Sequence, residues 1–406
     1  MSNPNALGSI CYEAESSFGE NTGTAATLRL PQLSSVDTSG LTHAKSNAER
    51  VVQHLNACDG YVLGTMGGSV KTKTYLTGHG SATSGATSAT TYETWLSLFW
   101  GNGAVSAASG TTFTGGGTAT APTTTASGTF TPGSIGWAGL LGDARGNGQP
   151  FVVGTHAATT LNLLTALGAI PSAADICASG YTMYLPETTF ACTSQRLLLQ
   201  GYNAEYLCHG CHPTAVTISG LEPGGKPTIE ITWAVAWWEY KTTAMPSTVA
   251  TNTDNPATTA AGSIFVNDVG TATRSLRTAR NFSINIELGM ATLRGPGGVN
   301  QYQDIVGCRR LPSKISISWT EDAEATTLTP AIPAMGTSTT NKHILYGNGG
   351  PPGQRVAIYA PNVVSKVVAI QKNENGINSF TYEGHCDVGT TTTSDLTLSA
   401  ARVAFG

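Results

Sequence analysis

The chain has 406 residues, 40% of them apolar, which is enough for two or three domains with real cores. Asp, Glu, Lys and Arg make up only 11%, against about 25% in ordinary soluble domains. Two classes fit that deficit: a chain that covers much of its surface in an assembly, or an extracellular Thr-rich β-protein. The net charge is -4 with no basic block, which argues against tight nucleic-acid binding, since phosphate contacts need clustered Lys and Arg. No apolar run approaches the ~20 residues of a membrane helix.

Residues 1–35 read as a polar, Gly- and Thr-rich arm. The start has no basic segment followed by an apolar one, so no export signal is expected. The eight cysteines (11, 58, 177, 192, 208, 211, 308 and 386) are then expected as reduced thiols. Residues 50–77 read as strand, turn, strand: Val51, Gln53 and Leu55, a turn at Cys58-Asp59-Gly60, then Tyr61, Leu63 and the alternating Val70, Thr72, Thr74 and Leu76. Tyr92 to Trp100 reads as a short helix, capped by Thr90 or Thr91 and stopped by Gly101 and Gly103. Residues 103–134 are low-complexity Gly, Thr, Ala and Ser, expected as a long flexible loop or a surface-wrapping insertion. His156 to Leu167 can form a second helix, ended by Gly168 and Pro171.

Residues 208–240 support two readings. Cys208-His209-Gly210-Cys211-His212 matches the C-x-x-C-H pattern of covalent haem attachment. From Pro213 onward the stretch reads as a long hairpin. Val216 and Ile218 alternate with Thr217 and Ser219, residues 221–227 turn, and Ile229, Ile231, Trp233, Val235 and Trp237 return. Haem is disfavoured by the missing export signal and by Pro213, which biases His212 away from helix. Zinc on Cys208, Cys211 and His212 would need a fourth ligand such as Cys192, His209 or Cys308. The bland reading is that these cysteines are small hydrophobes before a strand, and no cofactor is expected.

Residues 241–262 form a Pro/Thr/Ala linker and the expected domain boundary. Strands follow at 282–288, 315–319, 356–359, 363–370, 377–382 and 396–403, with Asn375-Gly376 as a hairpin turn. Gly210-Cys211 with Pro213 before one strand, and Gly307-Cys308 with Pro312 before another, echo each other at an offset of 99 on the prolines (312 - 213). The echo suggests two copies of one β-domain. Enzymatic motifs are missing: there is no G-x-S-x-G, H-E-x-x-H, P-loop or strand-borne G-x-G-x-x-G, and no catalytic activity is expected. The tryptophans at 95, 100, 233, 237 and 238 either stack sugars or fill a core.

In pattern and order the chain resembles the major tail tube proteins of long-tailed bacteriophages. The residues carrying this are Tyr12-Glu13-Ala14-Glu15-Ser16-Ser17-Phe18-Gly19 and the Gly/Thr-rich arm, the hairpin at 50–77 and the helix at 92–100. The hairpin at 213–240 and the ending from Gly353 through Pro361 to Asn375-Gly376 add to it. The resemblance implies a mainly β fold of two β-sandwich, tube-type domains with long hairpins and one or two short flanking helices. These would be a first domain at 36–245 carrying the 103–134 insertion and a second at 246–406, after the arm at 1–35. It implies that the chain partners itself in rings of trimers or hexamers, two domains per chain favouring trimers. The rings stack into a virion tail tube made in the bacterial cytoplasm, with tape-measure, tail terminator and distal tail proteins as further partners. DNA transits without specific binding, and no membrane is involved. The residues expected at the assembly interface are Tyr12, Glu13, Phe18, Gly19, Val216, Ile218, Ile231 and Trp233. The alternative is a surface β-sandwich that binds a carbohydrate or receptor through exposed Trp.

Overall fold

The computed structural model describes residues 9–15, 18, 28–30, 33–47, 61–76, 103–105, 111–125, 130–139, 148–185, 194–200, 205–222, 224–240, 250–251, 262–272, 276–277, 279–295, 305–323, 341–348, 354–372, 378–389 and 394–406. The fold is mainly β, as the alternating pattern requires. The first strands are β1 (Ser9–Ala14), β2 (Leu28–Leu30), β3 (Leu33–Asp37), β4 (Leu41–Asn47) and β5 (Tyr61–Tyr75). An excursion follows, made of β6 (Gly103–Val105), β7 (Thr111–Gly117), β8 (Pro122–Thr124), β9 (Ile135–Gly139), β10 (Gly148–Ala157), β11 (Thr160–Leu163), β12 (Ala173–Ser179) and β13 (Tyr181–Tyr184). Then come β14 (Gln195–Gln200), β15 (Glu205–Ser219), β16 (Thr228–Val235), β17 (Trp237–Tyr240) and β18 (Ala250–Thr251). The second half holds β19 (Gly262–Asp268), β20 (Leu276–Arg277), β21 (Ala279–Glu287), β22 (Met290–Arg294), β23 (Ile305–Arg310) and β24 (Lys314–Ala323). It closes with β25 (Lys342–Asn348), β26 (Val356–Lys372), β27 (Asn378–Asp387), the helical turn α1 (Asp395–Leu398) and β28 (Arg402–Phe405).

The connectivity repeats. In the first half β1 pairs with β2 and β14, β14 with β15, and β15 with both β16 and β17, while β3 and β4 pair with successive parts of β5. In the second half β19 pairs with β20 and β25, β25 with β26, and β26 with both β27 and β28, while β21–β24 and β22–β23 stand for β3–β5 and β4–β5. β16 joins β5 as β27 joins β24. The match reaches single hydrogen bonds: Glu15 N–H donates to Ser194 O after β1 (3.2 Å), and Val269 N–H to Asn341 O after β19 (3.0 Å).

The 99-residue echo is not the register of this repeat. It would align β15 with β24, whereas pairing aligns β15 with β26. Gly-Cys before a Pro recurs by composition; the order of strand pairing is what defines the copies.

The two halves share one sheet. β15 pairs with β21 through Ala215↔Glu287, Val216↔Ile286, Thr217↔Asn285 and Ile218↔Ile284. This gives the order β3–β5–β16–β15–β21–β24–β27–β26. β16 shows why it forms: Ile229, Ile231, Trp233 and Val235 are buried, and the intervening residues are half-exposed. These side chains join Val70, Val216, Ile218, Ile284, Ile286, Ile317 and Trp319 in one core.

Several expectations are corrected. The low-complexity stretch at 103–134 is not a loop among its described residues. It supplies β6, β7 and β8, and 111–179 close a barrel in the order β10-β11-β8-β7-β12-β9. Thr is β-branched and suits a pleated surface; its hydroxyls pair across strands, Thr112 with Thr125 at 3.1 Å and Thr114 with Thr123. Phe113, Phe130, Phe151, Val153, Leu161 and Leu163 fill the barrel. Gly117, at φ 88°, makes the bend, where a Cβ would lie 2.2 Å from Ala121 O. The helix expected at 156–167 is instead the β10–β11 hairpin, with Ala158 at φ 51° in its turn. Leu161 and Leu163 point inward around an exposed Asn162, a period of two rather than 3.6. The strand expected at 396–403 begins as α1 and becomes β28 only at Arg402. Residues 9–14 of the arm form a strand between β14 and β2. In the linker, Ala250 and Thr251 pair in parallel with β2. The helix at 92–100, the turns at 58–60 and 375–376, and linker residues 241–249 and 252–261 lie outside the described residues; Gly262 opens β19.

Trp233 is fully buried and its indole N–H donates to Thr72 Oγ1 at 3.0 Å. Trp233→Ala is expected to lower unfolding free energy by roughly 3–5 kcal/mol, measured by denaturant titration.

Candidate functional site

The C-x-x-C-H residues sit within β15, and Cys208, His209, Cys211 and His212 are all 0% exposed. β15 kinks here: Leu197 faces Cys208 and Gln195 faces Cys211, so three residues of β15 answer two of β14. Gly210 takes the bulge at φ 60°. Its N–H donates to Glu15 Oε1 at 2.9 Å, and Ser194 Oγ donates to Glu15 Oε2 at 2.5 Å. His209 stacks on Trp237 at 3.8 Å, with Glu15 and Glu239 at 3.9 and 3.6 Å from its two nitrogens. His212 lies under Phe18, ring centroids 6.1 Å apart, and its Nδ1 is 3.3 Å from Gly210 O.

These contacts are packing contacts, and Cys208, Cys211 and His212 are not grouped as a ligand set among the described residues. Among the described residues no group of three His, Cys, Asp or Glu side chains is placed to hold a metal. Burial, and then the neighbouring Cys208 thiol, push the Cys211 thiol well above its usual range. The repeat gives a second argument. β26 has the same three-for-two kink against Lys342 and Ile344, with Ala360 where β15 has Cys208 and Val363 where it has Cys211. Small apolar residues serve the same geometry. Cys308, the other thiol of the echo, is disulfide-bonded, which corrects the expectation of reduced cysteines at that position.

The expected interface residues divide. Val216, Ile218, Ile231 and Trp233 are buried in the chain's own core and are corrected as surface residues. They are the inward half of a strand alternation whose outward half is polar. Tyr12 and Glu13 lie in β1, opposite Leu197 and Arg196. Phe18 is half-buried against Ala236, Trp237 and Ile305. Gly19 lies outside the described residues.

The outer face of the eight-stranded sheet is polar. Thr217, Thr232, Ser283, Asn285, Ser316, Ser318, Thr320 and Thr381 line it, half-exposed. Thr217 Oγ1 donates to Asn285 Oδ1 across the junction of the halves at 2.9 Å. The face carries four cross-strand register pairs of opposite charge: Asp37 opposite Lys71, Lys73 opposite Glu230, Glu287 opposite Lys314, and Lys366 opposite Glu383. The last pair is 3.9 Å apart. Asp37 is held below its usual range by hydrogen bonds from Ser39 and, more weakly, by Lys71.

Both ends of this sheet are open among the described residues: β3 pairs only with β5, and the second half of β26 pairs laterally only with β27. Val364, Val368 and Ile370 on β26 are 46–47% exposed. A long apolar edge of this kind invites a further strand. Among the described residues no helix is long and apolar enough to cross a membrane.

Replacing Cys208→Ala together with Cys211→Val, the residues of the equivalent kink, is expected to change unfolding free energy by less than about 1.5 kcal/mol. Bound zinc by elemental analysis should stay unchanged; loss of a stoichiometric metal would contradict this. Burial lowers the imidazole values of His212 and His343 below 6.5. Their unfolded forms therefore bind more protons as pH falls, and stability should drop below about pH 6.5 toward the lowered folded values. His212→Gln should flatten that dependence in denaturant titrations between pH 7.5 and 5. Compared with known proteins, the chain matches no family and no curated protein.

Proposed function

We propose that this chain is a self-assembling structural protein whose rings stack into a tail tube of the long-tailed phage type, a conduit for DNA. The observation that carries the reading is the β15–β21 junction. There the last sheet strand of the first repeat pairs with the first sheet strand of the second. The equivalent of β15 is β26 and the equivalent of β21 is β3, so each chain ends on the two halves of the same joint. A second copy supplying β3 to β26 would continue the sheet without inventing a new contact, and repetition closes a barrel with no free edges. Two repeats per chain make a six-repeat ring from three chains. An obligate contact of this kind buries on the order of 2,000 Å² or more.

The outer face of the sheet then lines the lumen. Lysines that each face a carboxylate, among hydroxyls, give a passing polyanion no cluster of cations to hold. Tape-measure, terminator and distal tail proteins would be the further partners, and the tail of the virion the location. The alternative of a sugar-binding surface loses support at Trp233 and Trp237, which are buried.

Negative-stain imaging of the purified chain should show filaments. Val368→Lys combined with Ile370→Lys should leave a folded protein, by circular dichroism and denaturant midpoint, that forms discrete particles instead. Normal tubes from that variant would refute the edge contact, and six chains per ring would refute the two-repeat arithmetic.

A further inference from the structure

We infer that the disulfide of Cys308 joins the second repeat to the first, a redox-closed lock on a junction otherwise held by strand pairing and packing. The lock lies within one chain and does not depend on ring formation.

The sequence has eight cysteines. Cys177, Cys208, Cys211 and Cys386 are free thiols, whereas Cys308 is disulfide-bonded. The cysteines left to hold it are Cys11, Cys58 and Cys192. All three belong to the first repeat by their place in the chain: Cys11 within β1, Cys58 between β4 and β5, and Cys192 three residues before β14. Cys308 lies in β23 of the second repeat. The one cysteine that could keep the bond inside that repeat, Cys386, is free. Each remaining pairing therefore crosses from one repeat to the other.

Packing brings β23 to the first repeat. Ile305 is buried with Ala236 and Trp237, and Phe18 packs against them. β22 and β23 slip by one residue between Leu293 and Arg294, so that Ile305 lies opposite Arg294 and Cys308 opposite Thr292. Thr292 and Arg294 are two apart on one strand and share a face, and their cross-strand partners share it with them. Without the bulge, Ile305 and Cys308 would point to opposite faces; with it, Cys308 turns to the side on which Ile305 meets the first repeat. The two residues are roughly 10 Å apart along the strand. A disulfide needs its Cα atoms within about 7 Å, so the bond sits at the border of that contact. Cys308 is half-buried.

Closing the bond takes two thiols. Exchange with a low-molecular-weight disulfide passes their two hydrogens to that reagent, which leaves as two thiols; one S–S bond forms on the protein as one breaks in the reagent. In a reducing compartment the exchange runs the other way. The joint is then held by β15–β21 pairing and Ile305 packing while reduced, and covalently once the chain meets an oxidising medium. Cys192, the nearest of the three in sequence, is 116 residues away (308 - 192). A cross-link over so long a loop removes more freedom from the opened chain than a local one.

The test is disulfide mapping of the full chain after incubation with oxidised glutathione and alkylation without reduction. Cys308 should be recovered in one peptide with Cys11, Cys58 or Cys192. Recovery of Cys308 alkylated, bound to glutathione, or joined to Cys177, Cys208, Cys211 or Cys386 would overturn the lock, and this arm needs no variant. Hydrogen exchange on the oxidised chain and on Cys308→Ser then reads the joint. Amides of β21 and β23 should exchange at least about tenfold faster in the variant, while β7, β8 and β11 of the barrel keep parent rates. Parent rates in β21 and β23 would mean that the bond locks nothing.

Discussion

A β-sheet must end somewhere, and its two last strands carry backbone groups with no partner. Everything in this chain is arranged around that constraint. The pairing of β15 with β21 satisfies it once, inside the molecule, by letting one repeat finish the other's sheet. The same solution leaves β26 and β3 as matching ends. On the proposed reading the scarcity of charge follows from it: residues that would guard an isolated edge could be few where the edges are joined.

The kinked strands β15 and β26 are what make each repeat a two-layer body. Each is long enough to pair in one layer, bend at a three-for-two bulge, and pair again in the other. The CHGCH sequence is one way of writing that bend, and Ala360 to Val363 is another. Glu15 and Phe18 then fasten the start of the chain onto the first bend through Gly210 and His212.

The sheet strands were legible because their side chains alternate: 216–218 with 229–235, 282–288 and 315–319 all appear where the period of two places them. The repeat is legible in the order of strand pairing; the Gly-Cys echo at an offset of 99 aligns other strands. Three things were hidden. The barrel was hidden because Thr and Gly carry little hydropathy signal, although Phe113 and Phe130 mark its interior. The hairpin at 156–163 was hidden because Leu161, Leu163 and Leu164 satisfy helical spacing nearly as well as strand spacing. The placing of Val216, Ile218, Ile231 and Trp233 was hidden because alternation says which residues share a face and is silent on which face is the inner one.

The register pairs on the outer face have an electrical consequence beyond neutrality. Opposite charges on adjacent strands form short dipoles, and the field of a dipole falls off faster than that of a single charge. At physiological ionic strength the screening length is about 8 Å. Beyond that distance from the wall such a surface is nearly equipotential, so a stiff, highly charged polymer moving along its axis would meet neither wells to stick in nor barriers to climb. If the proposed tube forms, the spacing of Asp37, Lys71, Lys73, Glu230, Glu287, Lys314, Lys366 and Glu383 across the sheet would serve smoothness rather than binding.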